Sequence, residues 1–200
     1  MLDARTVEQT GVDGIYPVRE DSVLLAESVD AAAGERILEI GCGLGVASVR
    51  AARAGARVVS TDLNPFALRR LKDVAREESL DITPIRTDLA NGLGRFDGVL
   101  CNPPYLPTTA RTRDPDPWHN LALDGGPDGC RLLARVIATL PDHLRPGGRA
   151  LVLVSTRQSP KRVASLLRRF RTRGGSVRTV SQLKLYRERL AVMRFVPPGT

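Results

Sequence analysis

A chain of 200 residues with 42% apolar and 26% charged side chains suits one soluble domain with its own core, and no run approaches the length of a membrane span. Three scattered cysteines (Cys42, Cys101, Cys130) and two histidines (His119, His143) offer neither metal spacing nor a nucleophilic triad. The net charge of +8 is one-sided: residues 1–156 hold 18 basic against 21 acidic residues, net −3, and residues 157–200 hold 12 basic residues against Glu188 alone, net +11. The cysteine usage, and a start that holds Asp3 and Glu8 without an apolar core, point to a reducing cytoplasm rather than secretion. The basic tail suits an anionic partner such as RNA, or a solvated arginine-rich surface.

Residues 1–19 read as irregular, broken by Gly11, Gly14 and Pro17. Glu20 to Ala33 carries acids in its first turn and an apolar face of Val23, Leu24, Ala26 and Val29, which predicts a helix. Strand 36–40 runs into Gly41-Cys42-Gly43-Leu44-Gly45, and a helix follows from Val46 to Ala54. Strand 57–61 closes on Asp62, and Asn64 before Pro65 caps a helix to about Ser79. Strands at 82–87 and 98–101 come next, then a long irregular loop from Tyr105 to Gly126. Loops of that length inside a compact domain are usually functional. Asp128 opens a helix through Leu140, Pro146-Gly147-Gly148 turns into strand 150–155, and a basic helix spans 160–173. Strands near 177–183 and 190–196 finish the chain as a hairpin. The alternation predicts an α/β fold: a mostly parallel seven-stranded sheet with an antiparallel C-terminal hairpin and helices on both faces.

The glycine-rich turn after the first strand lets backbone approach a ligand closely. Asp62 ends the next strand 17 residues beyond Gly45, a spacing that places a carboxylate on ribose hydroxyls. The third glycine of the dinucleotide fingerprint is missing, because position 46 is Val46. An adenosine-containing ligand without a pyrophosphate fits better, and S-adenosylmethionine is the obvious one. Glu39 suits its positive end, and Asp88 can accept from the adenine amino group with Leu89 beside the ring. Each carboxylate could instead serve only as a cap or turn residue.

After an apolar run, Asn102-Pro103-Pro104-Tyr105 stops the fourth strand, since neither proline has an N–H to donate. Asn102 Oδ1 and the Pro103 carbonyl form a pair of acceptors for the two hydrogens of a planar amine, and Tyr105 can stack on that plane. Such a grip acts mainly by positioning.

With both motifs in view, the chain resembles the class I methyltransferases, and within them the HemK-like (PrmC-related) protein-glutamine N5-methyltransferases that modify peptide-chain release factors. The matching stretches are 39–45, Thr61 to Pro65, Asp88-Leu89, Asn102 to Tyr105, and Leu123-Asp124-Gly125-Gly126-Pro127-Asp128-Gly129. Tyr16 to Ser22 is similar to the cofactor-covering segment of the archaeal and eukaryotic branch. The resemblance implies a single Rossmann-like methyltransferase domain over residues 1–200. Residues 1–33 would cover the cofactor, 34–156 form the cofactor and catalytic core, and 157–200 supply the basic helix and last strands. It also implies catalytic roles for Asn102, Pro103, Pro104 and Tyr105. Cofactor contacts would come from Tyr16, Asp21, Glu39, Gly41, Cys42, Gly43, Gly45, Asp62, Leu63, Asp88, Leu89 and Asn102. The bacterial enzymes carry an N-terminal helical domain for which this chain has no room, so it resembles the compact branch, in which a small zinc-binding activator subunit is often required.

The expected reaction is in-line transfer of a sulfonium methyl group to a glutamine amide nitrogen. The alternative acceptor is an exocyclic amine of adenine or guanine in RNA or DNA, which the basic C-terminal segment would suit. A non-catalytic binding subunit on the same fold is disfavoured by the intact motifs. Trp118 in the long loop is expected to pack rather than to touch substrate, His119 and His143 to lie on the surface, and Cys42 to fill space. The Gly125 to Gly129 segment is expected to shape the substrate pocket.

Overall fold

The computed structural model describes residues 14–112, 114 and 116–198. In chain order the elements are α1 (Glu20–Glu27), β1 (Arg36–Ile40), α2 (Val46–Arg53), β2 (Arg57–Asp62), α3 (Pro65–Glu77), β3 (Ile82–Arg86), β4 (Phe96–Cys101), a short 3-10 turn (Ala110–Thr112), α4 (Pro117–Leu123), α5 (Arg131–His143), β5 (Leu144–Ser155), α6 (Pro160–Thr172), β6 (Ser176–Leu185) and β7 (Glu188–Val196). The seven strands form one sheet in the order β3-β2-β1-β4-β5-β7-β6. β1 to β5 run parallel, and β7 pairs antiparallel with both β5 and β6. The expected α/β sheet with its C-terminal hairpin is therefore the one observed. Chain order reverses between β1 and β4, and ligands of open α/β sheets sit beyond the carboxyl ends at such a switch point.

Both faces of the sheet are covered, and the side chains divide by the period of two of a strand. Leu100, Leu151 and Leu153 enter one core with Leu25 of α1, Val49 of α2 and Leu71 of α3. Val99, Cys101, Val152 and Val154 enter the other with Leu133 and Leu140 of α5 and Phe170 of α6. Three helices start alike, with a capping side chain followed by proline at the first helical position. Asn64 accepts from Phe66 N at 2.9 Å, Asp116 from Trp118 N at 2.8 Å and Ser159 from Arg162 N at 3.4 Å.

Several boundaries differ from expectation. Helix α1 stops at Glu27 rather than at Ala33. Beyond it, the Asp30 carbonyl and carboxylate both turn to Arg149 instead of continuing the helix. The long loop is not irregular throughout, since Asp116-Pro117 starts α4 inside it. Asp128 does not open α5. Its carboxylate accepts from Cys130 N at 2.9 Å in a turn, and the helix begins at Arg131. Strand β5 begins at Leu144, before the Pro146-Gly147-Gly148 turn. The register steps from Phe96 opposite Leu144 to Gly98 opposite Arg149, so the turn is an excursion within the strand.

Arg149 clamps the amino-terminal end of the sheet. Its guanidinium is 8% exposed as a residue and donates to Asp30 Oδ1 (2.9 Å), to both oxygens of Glu35 (2.7 and 2.8 Å) and to the Asp30 carbonyl (2.8 Å). These bonds hold the Glu35 and Asp30 carboxyls below the usual range, and they raise Arg149 further. Arg149→Ala strips one cation from two acids that stay in part solvated. It is expected to lower stability by about 2–3 kcal/mol in urea unfolding while leaving ligand affinity at the far end of the sheet unchanged.

Candidate active site

A cavity of ≈ 600 Å³ opens at the carboxyl ends of β1, β2 and β4. Its floor is the Gly41–Leu44 stretch of the glycine-rich turn. The turn is fixed by Cys42 N donating to the Thr61 carbonyl (2.9 Å) and Gly43 N donating to Asp62 Oδ2 (2.9 Å). Space is open where Gly41 and Gly43 would carry a Cβ, so the ligand side of this backbone is bare. Gly45 differs. It has φ +71, a Cβ there would stand 2.4 Å from Leu71 Cδ1, and it does not line the cavity. Its positive φ and the Leu71 side chain of α3 both favour glycine there.

Glu39 is 4% exposed and lines the cavity from the middle of the sheet. Its Oε2 accepts from Ser48 N (2.9 Å) and from Ser48 Oγ, and Ser48 Oγ lies 2.6 Å from Ser60 Oγ. Burial pushes the Glu39 carboxyl up to about 7 against the pull of the Ser48 bonds, and the neighbouring Asp62 charge adds to the rise. Burial also raises Asp62, opposed by backbone N–H donors at Asn64, Gly43 and Leu63. Asp62 spends one oxygen on Gly43 N and the other on Asn64 N (2.8 Å), and so shapes two turns at once. Leu63 lines the same wall. Asp88 stands at the rim with Oδ2 bound to Arg135 at 2.7 Å, a partner in α5 that no sequence signal announced. Leu89 holds φ 55, a strained conformation for a leucine, and its carbonyl accepts from Thr61 Oγ1 at 2.7 Å.

The Asn102-Pro103-Pro104-Tyr105 stretch forms the opposite wall. Among the described residues Asn102 Oδ1 is the buried side-chain polar atom left without a hydrogen-bond partner. Such an atom is rare, because desolvation without a partner costs about 1–3 kcal/mol. The Tyr105 hydroxyl donates to Asp21 Oδ2 (3.1 Å), as does the Tyr16 hydroxyl (3.2 Å). The Tyr105 backbone is braced from behind by the Gly125–Gly129 segment. A Cβ at Gly129 would come within 2.4 Å of the Tyr105 carbonyl oxygen, and one at Gly125 within 2.9 Å of its carbonyl carbon. Gln158, buried in the turn before α6, closes this layer. It donates to the Gly129 carbonyl (2.9 Å) and accepts from Ser155 N (3.0 Å). Neither Gln158 nor Ser48 carries a motif, so their roles come from contacts that only the fold creates.

Fourteen of the fifteen positions expected at the site thus line one cavity, and Gly45 is the one that does not. Trp118 lines the cavity as well, with its ring edge-on to Phe66 at 6.4 Å between centroids. His119 pairs with Asp114 (2.9 Å) and His143 lies 3.2 Å from the Gly94 carbonyl, both away from the cavity. Burial drives the Cys42 thiol well up, so it is an inert space-filler on the cavity wall.

Residues 5–115, more than half of the chain, match the family described as "Methyltransferase small domain". A Methanocaldococcus jannaschii protein named as a protein N5-glutamine methyltransferase is 36% identical over 181 residues, covering 90% of each chain. The release factor glutamine methyltransferase of Deinococcus radiodurans is 37% identical over 137 residues, 66% of this chain and 49% of that longer protein. A chain of the E. cuniculi Mtq2–Trm112 complex, which is responsible for the methylation of the translation termination factor eRF1, shares the fold at TM-score 0.71 and 24% identity, covering 92% of this chain and 99% of that one. With a bare glycine turn, buried acids and an unpaired amide oxygen around one cavity, this chain belongs to the methyltransferase small-domain family and is an S-adenosylmethionine-dependent N-methyltransferase of HemK type.

Proposed function

We propose that the protein methylates the side-chain amide nitrogen of a glutamine in a peptide-chain release factor. The observation that carries this reading is the buried Asn102 Oδ1, an acceptor for which none of the described residues supplies an N–H. With the Pro103 carbonyl it would take both hydrogens of a primary amide. That leaves the nitrogen lone pair aimed across the cavity, and the Tyr105 ring would cover the amide plane. Accepting both hydrogens also raises electron density on a nitrogen that is otherwise a poor nucleophile. Nothing on the wall needs to remove a proton first, because the nitrogen becomes acidic only once it has been methylated.

When bound, S-adenosylmethionine supplies an electrophilic methyl group on a positively charged sulfur. Glu39 would attract its positive end, Asp62 would accept from the ribose hydroxyls, and Asp88 and Leu89 would meet the adenine. Gly41, Cys42 and Gly43 would form the close-approach backbone, beside Leu63 and Tyr16. Asn102, between the two halves, would touch cofactor and acceptor alike. We infer a small zinc-binding activator subunit as its partner, and co-expression with one would raise turnover or solubility.

A second reading rests on a specific feature, the exposed basic surface of α6 and the β6–β7 hairpin. Lys161 on α6 is exposed, as are Arg187 and Arg189 on the hairpin, where Tyr186 has a relative exposure of 84%. A nucleobase amine could occupy the same grip, with that surface on the phosphates. Incubation with labelled S-adenosylmethionine and host lysate separates the two. Label that survives ribonuclease on a release-factor-sized protein supports the glutamine reading, and label lost with ribonuclease replaces it by the RNA reading.

Asn102→Ala is expected to lower kcat on a glutamine peptide by about 10²-fold with little change in cofactor affinity, and near-normal turnover would sink the grip. The pH dependence follows from Glu39. The native carboxyl keeps its proton up to about 7, against an ordinary value of 4.5. The unliganded protein therefore binds more protons than the unfolded chain between those values, and its stability falls as pH rises through that window. Glu39→Gln is expected to flatten this slope in thermal melts across the window. A cationic ligand favours the ionised form, so calorimetry in buffers of different ionisation enthalpy should detect proton release on cofactor binding below about pH 7, and Glu39→Gln should abolish it.

A further inference from the structure

Asp21 lies in the first turn of α1 and is 2% exposed. A carboxylate removed from water to that degree needs donors. Ser22 supplies two to Oδ1, from its N–H at 2.7 Å and its hydroxyl at 3.3 Å. The other two, both to Oδ2, are the hydroxyls of Tyr16 at 3.2 Å and Tyr105 at 3.1 Å. Burial first, and then the Asp21 charge, pushes both phenols up, so both stay protonated and donate. The three residues come from three pieces of chain: the segment before α1, α1 itself, and the end of the Asn102–Tyr105 turn 84 positions beyond Asp21. All three line the cavity, yet the carboxylate of Asp21 is already committed to these internal donors.

We infer that Asp21 is a positioning residue rather than a cofactor ligand: it fixes the Tyr105 ring from its hydroxyl end and, through Tyr16 on the same oxygen, locks the N-terminal segment to the amine grip. This rests on the methyl-transfer reading above. The Tyr105 backbone is held by Gly125 and Gly129, and its hydroxyl by Asp21, so the ring is pinned at both ends and cannot swing out of the plane that an acceptor amide must share. The expected consequence is a loss in kcat at saturating cofactor rather than a loss of cofactor affinity, because an ångström of misplacement at a reacting group costs on the order of 10²-fold.

The test is a double-mutant cycle of Asp21→Asn and Tyr105→Phe, read as kcat and KM on a glutamine-bearing peptide or release factor, with cofactor Kd measured separately. Asp21→Asn keeps the shape of the side chain, and Tyr105→Phe removes only the hydroxyl, so each leaves the fold a fair chance. Each single variant is expected to lose about 10- to 100-fold in kcat. The double variant should lose little more than the worse single, since one bond is being cut twice. Multiplying losses would overturn the inference. So would an Asp21→Asn variant that keeps its kcat and loses cofactor affinity, which would make Asp21 a cofactor ligand. Wild-type protein that methylates neither peptide nor release factor would instead overturn the reading beneath it, and this inference with it. Tyr16→Phe gives a third arm. It should weaken kcat less than Tyr105→Phe, and an equal or larger loss confined to cofactor Kd would sever the proposed link between the two halves.

Discussion

At the carboxyl ends of β1, β2 and β4, polar groups are taken out of water, and what each does for a partner decides the rest of the molecule. Glu39 is met by Ser48 at the start of α2, and Asp62 by the backbone of the two turns that flank it. Asn102 Oδ1 has no partner at all among the described residues. A desolvated acceptor of this kind persists only where surrounding structure over-determines it. Here the determinants are the two prolines that end β4 and the parallel pairing of β4 with β1 and β5.

The support behind the site is as specific as the site. Gly125 and Gly129 bring one segment against the Tyr105 backbone at distances that no side chain would allow. Gln158 then joins that segment to the end of β5, and the β6–β7 hairpin reaches the same corner through Arg189 and Thr156. Tyr105 is thereby fixed from the far half of the sheet, while Asp21 fixes it from the N-terminal half. The Glu39–Asp62 side and the Asn102–Tyr105 side of the cavity are consequently joined in one packed body, and packed cores switch between discrete arrangements rather than deform smoothly.

Charge is distributed by function of place. The amino end of the sheet is stitched by Arg149, Asp30, Glu35 and Asp97, and the carboxyl end holds acids that burial drives toward neutrality. Most of the basic excess lies on α6 and the last hairpin and does not line the cavity, while Arg194 of β7 joins the Asp30 cluster at the amino end.

Local signals settled much of this. Alternating strand and helix patterns, the glycine turn, Asn64 before Pro65, and the proline stop after Cys101 each depend on residues adjacent in sequence, where backbone sterics and capping act. They sufficed for the sheet, its hairpin and the two motif walls of the cavity, but not for its many other lining residues, such as Val18, Leu25, Leu121 and Leu132. What the sequence could not determine depends on groups far apart along the chain. The early end of α1 is due to Arg149, and the helix inside the long loop was hidden by a short apolar pattern. Gly45 stands against Leu71, Asp88 is held by Arg135, and Ser48 and Gln158 bear no motif. The bond from Tyr105 to Asp21 closes a gap of 84 positions, and only the folded sheet brings the two within 3.1 Å. Hydrogen bonds of that kind leave no trace in composition or period, because a donor and an acceptor that meet only in the tertiary structure place no constraint on their neighbours in the chain.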